Sequence, residues 1–151
     1  MDEDRRDAER AARIEYLKPL FMLVIGGSVV QVLLFTQEGW WALAYPVVML
    51  IELAFGVAGL WLSCKLLVGG VGYLGLAILR LAGIYAAMDV LGLFAANFGC
   101  IGLIIQLVIY VGLLAWLFEF EWRDAVIVAF VTFMIKLGAG LVLAMVLFPQ
   151  A

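Results

Sequence analysis

Residues 100–118 read CIGLIIQLVIYVGLLAWLF, an apolar stretch in which Gln106 is the one strongly polar side chain. A helix needs about 20 predominantly apolar residues to cross a hydrocarbon core about 30 Å thick. The stretch has nearly that length and contains no charged residue, which is typical of a transmembrane helix. It therefore predicts one membrane crossing.

Four further apolar stretches of similar length indicate that the whole chain is built in this way. The five predicted spans are residues 19–37, 42–68, 71–96, 100–118 and 125–148. Turn-forming or charged residues separate them, at Gln37-Glu38-Gly39, Gly69-Gly70, Asn97-Phe98-Gly99 and the hairpin 119–124. Pro19 suits the first turn of the first span, Asp124 is the expected N-cap of the fifth, and Pro149 is expected to end it.

Residues 1–18 differ from the rest of the chain because they are rich in charge. Asp2 and Arg6, and Glu9 and Arg13, are acid-before-base pairs four residues apart, the favourable order on a helix. We expect a short charged helix at the cytoplasmic membrane surface. The predicted fold is thus an all-α integral membrane protein, with a five-helix transmembrane domain at 19–151 preceded by this helix.

Composition excludes several classes of function. The chain is 68% hydrophobic with a mean hydropathy of +1.18, whereas soluble domains average roughly 45–50% apolar residues. A net charge of −3 gives no basic surface for nucleic acid, so no nucleic-acid partner is expected. Histidine is absent, which removes the commonest general base and metal ligand. We predict no catalytic residues, no metal site and no cofactor.

The distribution of basic residues predicts the orientation in the membrane. Seven of the nine Lys and Arg residues fall on or near the N-terminal side of the membrane, while the turns around Glu38 and Asn97 have none. The positive-inside rule then places the N-terminus in the cytoplasm and the C-terminus outside. In this topology Cys64 and Cys100 lie at opposite faces, too far apart for a disulfide.

Each predicted span carries one strongly polar residue at a similar inferred depth. Small residues such as Gly, Ala and Ser accompany each of them at positions three or four residues away, which marks the face where membrane helices pack. We therefore expect the five polar side chains to meet inside the bundle. This group, the polar seam, consists of Gln31, Glu52, Asp89, Gln106 and Lys136.

The charges of the polar seam predict an ion pair or a proton site. Ionised Lys136 needs a partner in hydrocarbon, and Glu52 or Asp89 can supply it, with Asp89 slightly preferred. The other carboxyl group would remain in low dielectric, where it can bind a proton. Arg80 and Lys65 lie nearer the inner face, where we expect their side chains to snorkel toward the headgroups.

Two functions fit these features, and no sequence motif identifies a family. The favoured one is a non-enzymatic structural or assembly subunit, whose partners are the lipid bilayer and other membrane subunits or further copies of itself. Its small size and its lack of repeats, histidine and broken helices favour this interpretation. The alternative is a small proton- or cation-coupled transporter or channel that uses Glu52, Asp89 and Lys136.

Overall fold

The computed structural model describes residues 2–65 and 73–147, and the side chains of 13–36, 39, 42–65, 73–95 and 97–138. In these ranges the chain forms five α-helices and no β-strand. The helices are α1 (Asp2–Glu38), α2 (Tyr45–Ser63), α3 (Leu74–Ala95), α4 (Gly99–Phe118) and α5 (Trp122–Leu147). The prediction of an all-α fold is confirmed for these residues.

The first helix corrects one expectation, because it runs through Pro19 without a break. Proline inside a helix removes one backbone hydrogen bond, and its ring crowds the preceding turn. Here Pro19 is fully buried, and its backbone lies directly against Gly83 of α3. Packing on a neighbouring helix allows such a proline in an apolar helix. Residues 2–18 are therefore the first part of α1 and do not form a separate helix that ends before Pro19.

The connections are short and use backbone conformations that suit their residues. A 3-10 segment, Gly39–Ala44, leads into α2, and a second one, Ala96–Phe98, precedes α4. Gly39 and Gly99 have φ angles of 64° and 55°, which glycine adopts without a steric penalty. Glu119 adopts a left-handed conformation with φ 56°, and this ends α4 at the hairpin.

The start of the last helix differs from the prediction. α5 begins at Trp122, so Asp124 lies in its first turn and is not the N-cap. A carboxylate in the first turn still interacts favourably with the positive end of the helix dipole. The predicted turn at Gly69-Gly70 and the predicted stop at Pro149 lie outside the described residues.

Four helical segments are long and apolar enough to cross a membrane, which indicates a membrane location. They are Arg13–Thr36, Ala42–Ser63, Leu74–Ala95 and Gly99–Phe118. Each matches one of the predicted spans to within about six residues at either end, close to the usual error of boundaries inferred from sequence. The fifth predicted span, 125–148, extends beyond the described side chains, so its crossing stays a prediction.

Helix α3 lies at the centre of the bundle. It packs against α1, α2 and α4, while α5 packs against α2 and α4. Residues 81–86 of α3 are all buried, and six consecutive positions cover every face of a helix. A helix covered on all sides has no separate polar face, and α3 accordingly carries apolar residues on every side, with Arg80 and Asp89 among them.

Residue contacts between helices give their directions. Pro19 meets Gly83 and Gly26 meets Ala86, so the numbers rise together and α1 is parallel to α3. Glu52 meets Lys136 and Gly59 meets Thr132, so α2 and α5 are antiparallel. The chain therefore runs up and down alternately. One end of the bundle, called here the basic end, holds the starts of α3 and α5 and the ends of α2 and α4.

Candidate functional site

A cavity of about 510 Å³ lies between α2, α3, α4 and α5. Four of the five residues of the polar seam line it, from four different helices: Glu52, Asp89, Gln106 and Lys136. Tyr85, Tyr110 and Thr132 add hydroxyl groups to its wall, and the rest of the lining is largely apolar. The shared depth inferred from sequence thus corresponds to a shared space in the structure.

Lys136 is paired with Glu52. Its Nζ atom lies 3.5 Å from Glu52 Oε2, and both side chains are only partly buried. The same ammonium lies 3.9 Å from the centre of the Tyr85 ring, a distance suited to cation–π attraction. From sequence, Asp89 is the preferred partner, and the structure corrects that preference. Tyr85 occupies the position one helical turn before Asp89 and receives the ammonium on its ring.

Asp89 has a different partner. The Tyr45 hydroxyl donates a hydrogen bond of 2.8 Å to Asp89 Oδ2. Tyr45 is the first residue of α2, and Pro46, which follows it, suits the start of a helix. The sequence analysis did not identify Tyr45 as this partner. Its spacing of seven residues from Glu52, two helical turns, places both on one face of α2 and could have revealed it.

The two glutamines have unequal roles. Gln106 lines the cavity, and its Nε2 donates a long hydrogen bond of 3.4 Å to the Met88 carbonyl on α3. Gln31 does not line the cavity. Its Nε2 donates a hydrogen bond of 2.9 Å to the Ala42 carbonyl, in the 3-10 segment before α2. Gln31 therefore fixes a helix connection, and the site consists of the remaining four residues of the seam.

Tyr85 is almost completely buried in the cavity wall, with 3% of its surface exposed. Its hydroxyl makes no hydrogen bond with any described residue. The hydroxyl lies against Gly56 of α2, where a Cβ atom would overlap it. The Tyr110 ring stacks nearly parallel to the Tyr85 ring, with centroids 6.4 Å apart. Two aromatic rings thus form one wall of the cavity.

The basic side chains predicted to snorkel lie at the basic end, outside the cavity. Arg80 forms an ion pair with Glu15 of α1, and its guanidinium lies 5.7 Å from the centre of the Phe118 ring. Lys65 lies 4.7 Å from the ring centre of Trp61. Lys18 lies at a similar distance, 5.3 Å, from Trp116. The contacts of Arg80 and Lys18 join α1, α3 and α4 at this end, whereas Lys65 contacts a ring one helical turn before it.

The cavity opens at the side of the bundle. Leu103 and Leu107 of α4 and Phe133 of α5 line it, although 67%, 58% and 58% of their respective surfaces are exposed. Near the basic end, Leu114 and Phe118 of α4 are buried in the same cluster as residues of α5. The two helices therefore pack tightly at the basic end and leave a lateral mouth farther along.

The cavity does not have the donors of a common metal centre. Among the described residues, no three His, Cys, Asp or Glu side chains lie close enough to hold a metal ion. Both cysteines are free thiols, Cys64 buried near the basic end and Cys100 exposed at the start of α4.

No family model matches the chain, and no curated protein or solved structure is significantly similar to it.

Proposed function

We propose that this protein is a small proton- or cation-coupled membrane transporter or channel, and that its site is the cavity between α2, α3, α4 and α5. The observation that carries the proposal is that Glu52, Asp89 and Lys136, from three different helices, line one open space. Ionisable residues at membrane depth are costly, and they commonly mark the path of a proton, an ion or a substrate.

The charges in the cavity do not balance. Among the described residues that line it, two carboxyl groups face one ammonium group. The Lys136–Glu52 pair compensates one negative charge, and the Tyr45 hydroxyl donates to Asp89 but brings no positive charge. An unpaired carboxylate in low dielectric favours binding of a proton or a cation. Asp89 is therefore the group proposed to exchange its proton or counter-ion.

Helix packing does not depend on the polar seam alone, which weakens the purely structural role expected from sequence. Close contacts between helices occur at glycines. Added Cβ atoms would come within 2.9 Å of Ala86 at Gly26, 2.7 Å of Pro19 at Gly83 and 2.8 Å of Thr132 at Gly59. Small residues at such points let membrane helices approach closely. The polar residues instead surround an open space. A binding site requires such a space, whereas a packing contact between helices does not.

The orientation proposed for the protein has the N-terminus in the cytoplasm and the C-terminus outside. Lys18, Lys65 and Arg80 lie on aromatic rings near the basic end of the bundle. Basic residues and aromatic rings are both enriched at the cytoplasmic interface of membrane proteins. In this orientation the cavity lies farther from the cytoplasm than the basic end does.

The test is proton flux in liposomes that contain the purified protein and an enclosed pH-sensitive dye. We expect a flux driven by a pH gradient or a membrane potential, and we expect Asp89→Asn and Glu52→Gln to reduce it strongly. Glu121→Gln is the matched control, because Glu121 is an exposed acid in the hairpin outside the cavity.

Flux that is absent, or equal in all these variants, would refute the transport proposal. If the protein from native membranes also co-purified with stoichiometric membrane subunits, the assembly role expected from sequence would replace it. A transporter is thus expected to give flux that depends on these carboxyl groups, whereas an assembly subunit is expected to co-purify with partners and to give no flux.

A further inference from the structure

We propose that the ligand of the cavity is an amphipathic organic monocation that enters sideways from the bilayer. This inference rests on the proposed function, because it names the class of substrate for the same site. It depends on four features of the cavity: its volume, its charge, its aromatic wall and the position of its mouth.

The volume fits an organic molecule better than an inorganic ion. The cavity of about 510 Å³ falls within the range of about 300–1,000 Å³ typical of small-molecule sites. A water molecule in the liquid occupies only about 30 Å³, and a bare monovalent ion is of similar or smaller size. Met88, Leu103, Leu107 and Phe133 supply apolar surface that an inorganic ion would leave uncovered. An organic ligand can cover that surface and gain hydrophobic stabilisation.

The charge of the cavity selects a single positive charge. Of the two carboxyl groups that line it, one is paired with Lys136, and the other, Asp89, has only the Tyr45 hydroxyl as a partner among the described residues. A bound monocation would compensate the charge of Asp89 and bring the ionised groups of the cavity to balance. A dication or an anion would leave an excess charge in low dielectric, which is costly.

The aromatic wall is suited to an organic cation. The Tyr85 ring already faces one positive charge, the Lys136 ammonium at 3.9 Å, so the ring lies in a position that attracts cations. The Tyr110 ring continues the same wall.

The mouth selects molecules that partition into the membrane. It lies between α4 and α5, where the exposed side chains of Leu103, Leu107 and Phe133 line the cavity. These side chains belong to apolar stretches, and α4 is one of the four helices able to cross a membrane. The opening therefore faces hydrocarbon. A lipophilic cation concentrates there, whereas a hydrated ion is excluded from it.

The experiment measures binding of tetraphenylphosphonium to the purified full-length chain in a non-denaturing detergent, by equilibrium dialysis or calorimetry. We expect saturable binding of one cation per chain. Asp89→Asn should weaken it by about tenfold or more, because the charged partner of the ligand is removed. Glu121→Gln should leave it unchanged. Tetramethylammonium, which has the same charge and little apolar surface, should bind more weakly by a similar factor.

Glu52→Gln provides a second test should Asp89→Asn fail to fold, because it removes the other carboxylate and should also weaken binding. Wild-type protein that shows no saturable binding, or binds tetramethylammonium as tightly, would overturn the inference. Proton flux that depends on Asp89 without such binding would leave the proposed transport intact and refute only the organic ligand. Binding without any flux would refute transport and retain the ligand.

Discussion

Lys136 is stabilised by two neighbours of different kinds, the Glu52 carboxylate and the face of the Tyr85 ring. Removing one member of an ion pair leaves the other charge uncompensated, whereas removing both leaves neutral groups. We therefore expect Lys136→Met and Glu52→Leu to destabilise the protein less together than the sum of their separate effects. The expected coupling is about 0.5–3 kcal/mol. It is measured as a double-mutant cycle on unfolding by a denaturing detergent.

The matched control for this cycle replaces Glu52→Leu with Asp89→Leu. Asp89 accepts its hydrogen bond from Tyr45, so its coupling to Lys136 should be clearly smaller. Equal coupling in the two cycles would contradict the pairing of Lys136 with Glu52.

The same substitution, Tyr to Phe, should affect stability differently at two tyrosines of the site. Tyr45→Phe removes the donor to Asp89 and should cost about 1.5–3 kcal/mol of stability, the usual range for a hydrogen bond to a charged group. Tyr85→Phe removes a buried hydroxyl without a described partner, and it should leave stability unchanged or raise it. The measurement is unfolding of both variants under the same conditions. A large loss in Tyr85→Phe would show that its hydroxyl has a partner.

Four of the residues that line the cavity were predicted from sequence to lie at one level, but the pairs that they form were not predicted. Depth along a helix follows from residue number, so Glu52, Asp89, Gln106 and Lys136 could be placed at one level. Which of them touch depends on the rotation of each helix about its axis, and that is set by packing. α3 carries apolar residues on every side, so its sequence gives little sign of which face meets which neighbour. Gln31 shares the level, yet it turns toward the Ala42 carbonyl.

At the level of helices, the contact between α1 and α3 depends on glycine. Gly26→Ala would place a Cβ atom 2.9 Å from the Ala86 backbone, which cannot move as a side chain could. We expect a loss of about 1–3 kcal/mol, the usual cost of overpacking. Gly27→Ala is the matched control, because a Cβ atom there would meet nothing within 4 Å. It should be neutral or slightly stabilising, since alanine favours helix. Unfolding experiments in which both variants lose similar stability would contradict close packing at Gly26.

Helix ends were predictable where composition changes sharply, and were missed where packing overrides it. The hairpin after Phe118 is charged, and α4 ends there as predicted. Pro19 looks like a helix start because proline lacks the N–H that an interior position uses. The structure continues through it because Gly83 of α3 accommodates the backbone at that point. That contact joins residues 64 positions apart, and no local pattern in the sequence contains it.

For the whole molecule, the two thiols test the proposed orientation. Cys100 is exposed at the start of α4, at the end opposite the basic end, and Cys64 is buried. We expect a membrane-impermeant maleimide to label intact cells at Cys100, and Cys100→Ser to abolish the labelling. Cys64→Ser should leave it unchanged. Labelling of Cys100 only after the membrane is permeabilised would place the N-terminus outside.

The pairing of Glu52 with Lys136 across 84 positions also has a consequence for the synthesis of the chain. A ribosome adds about 5–20 residues per second, so several seconds separate the synthesis of the two residues. During that interval α2 and α3 are completed while the Lys136 ammonium group does not yet exist. The nascent chain must keep the Glu52 side chain near water until α5 arrives. Chains that terminate before α5 should accordingly be recognised by membrane proteases and degraded faster than the full-length protein.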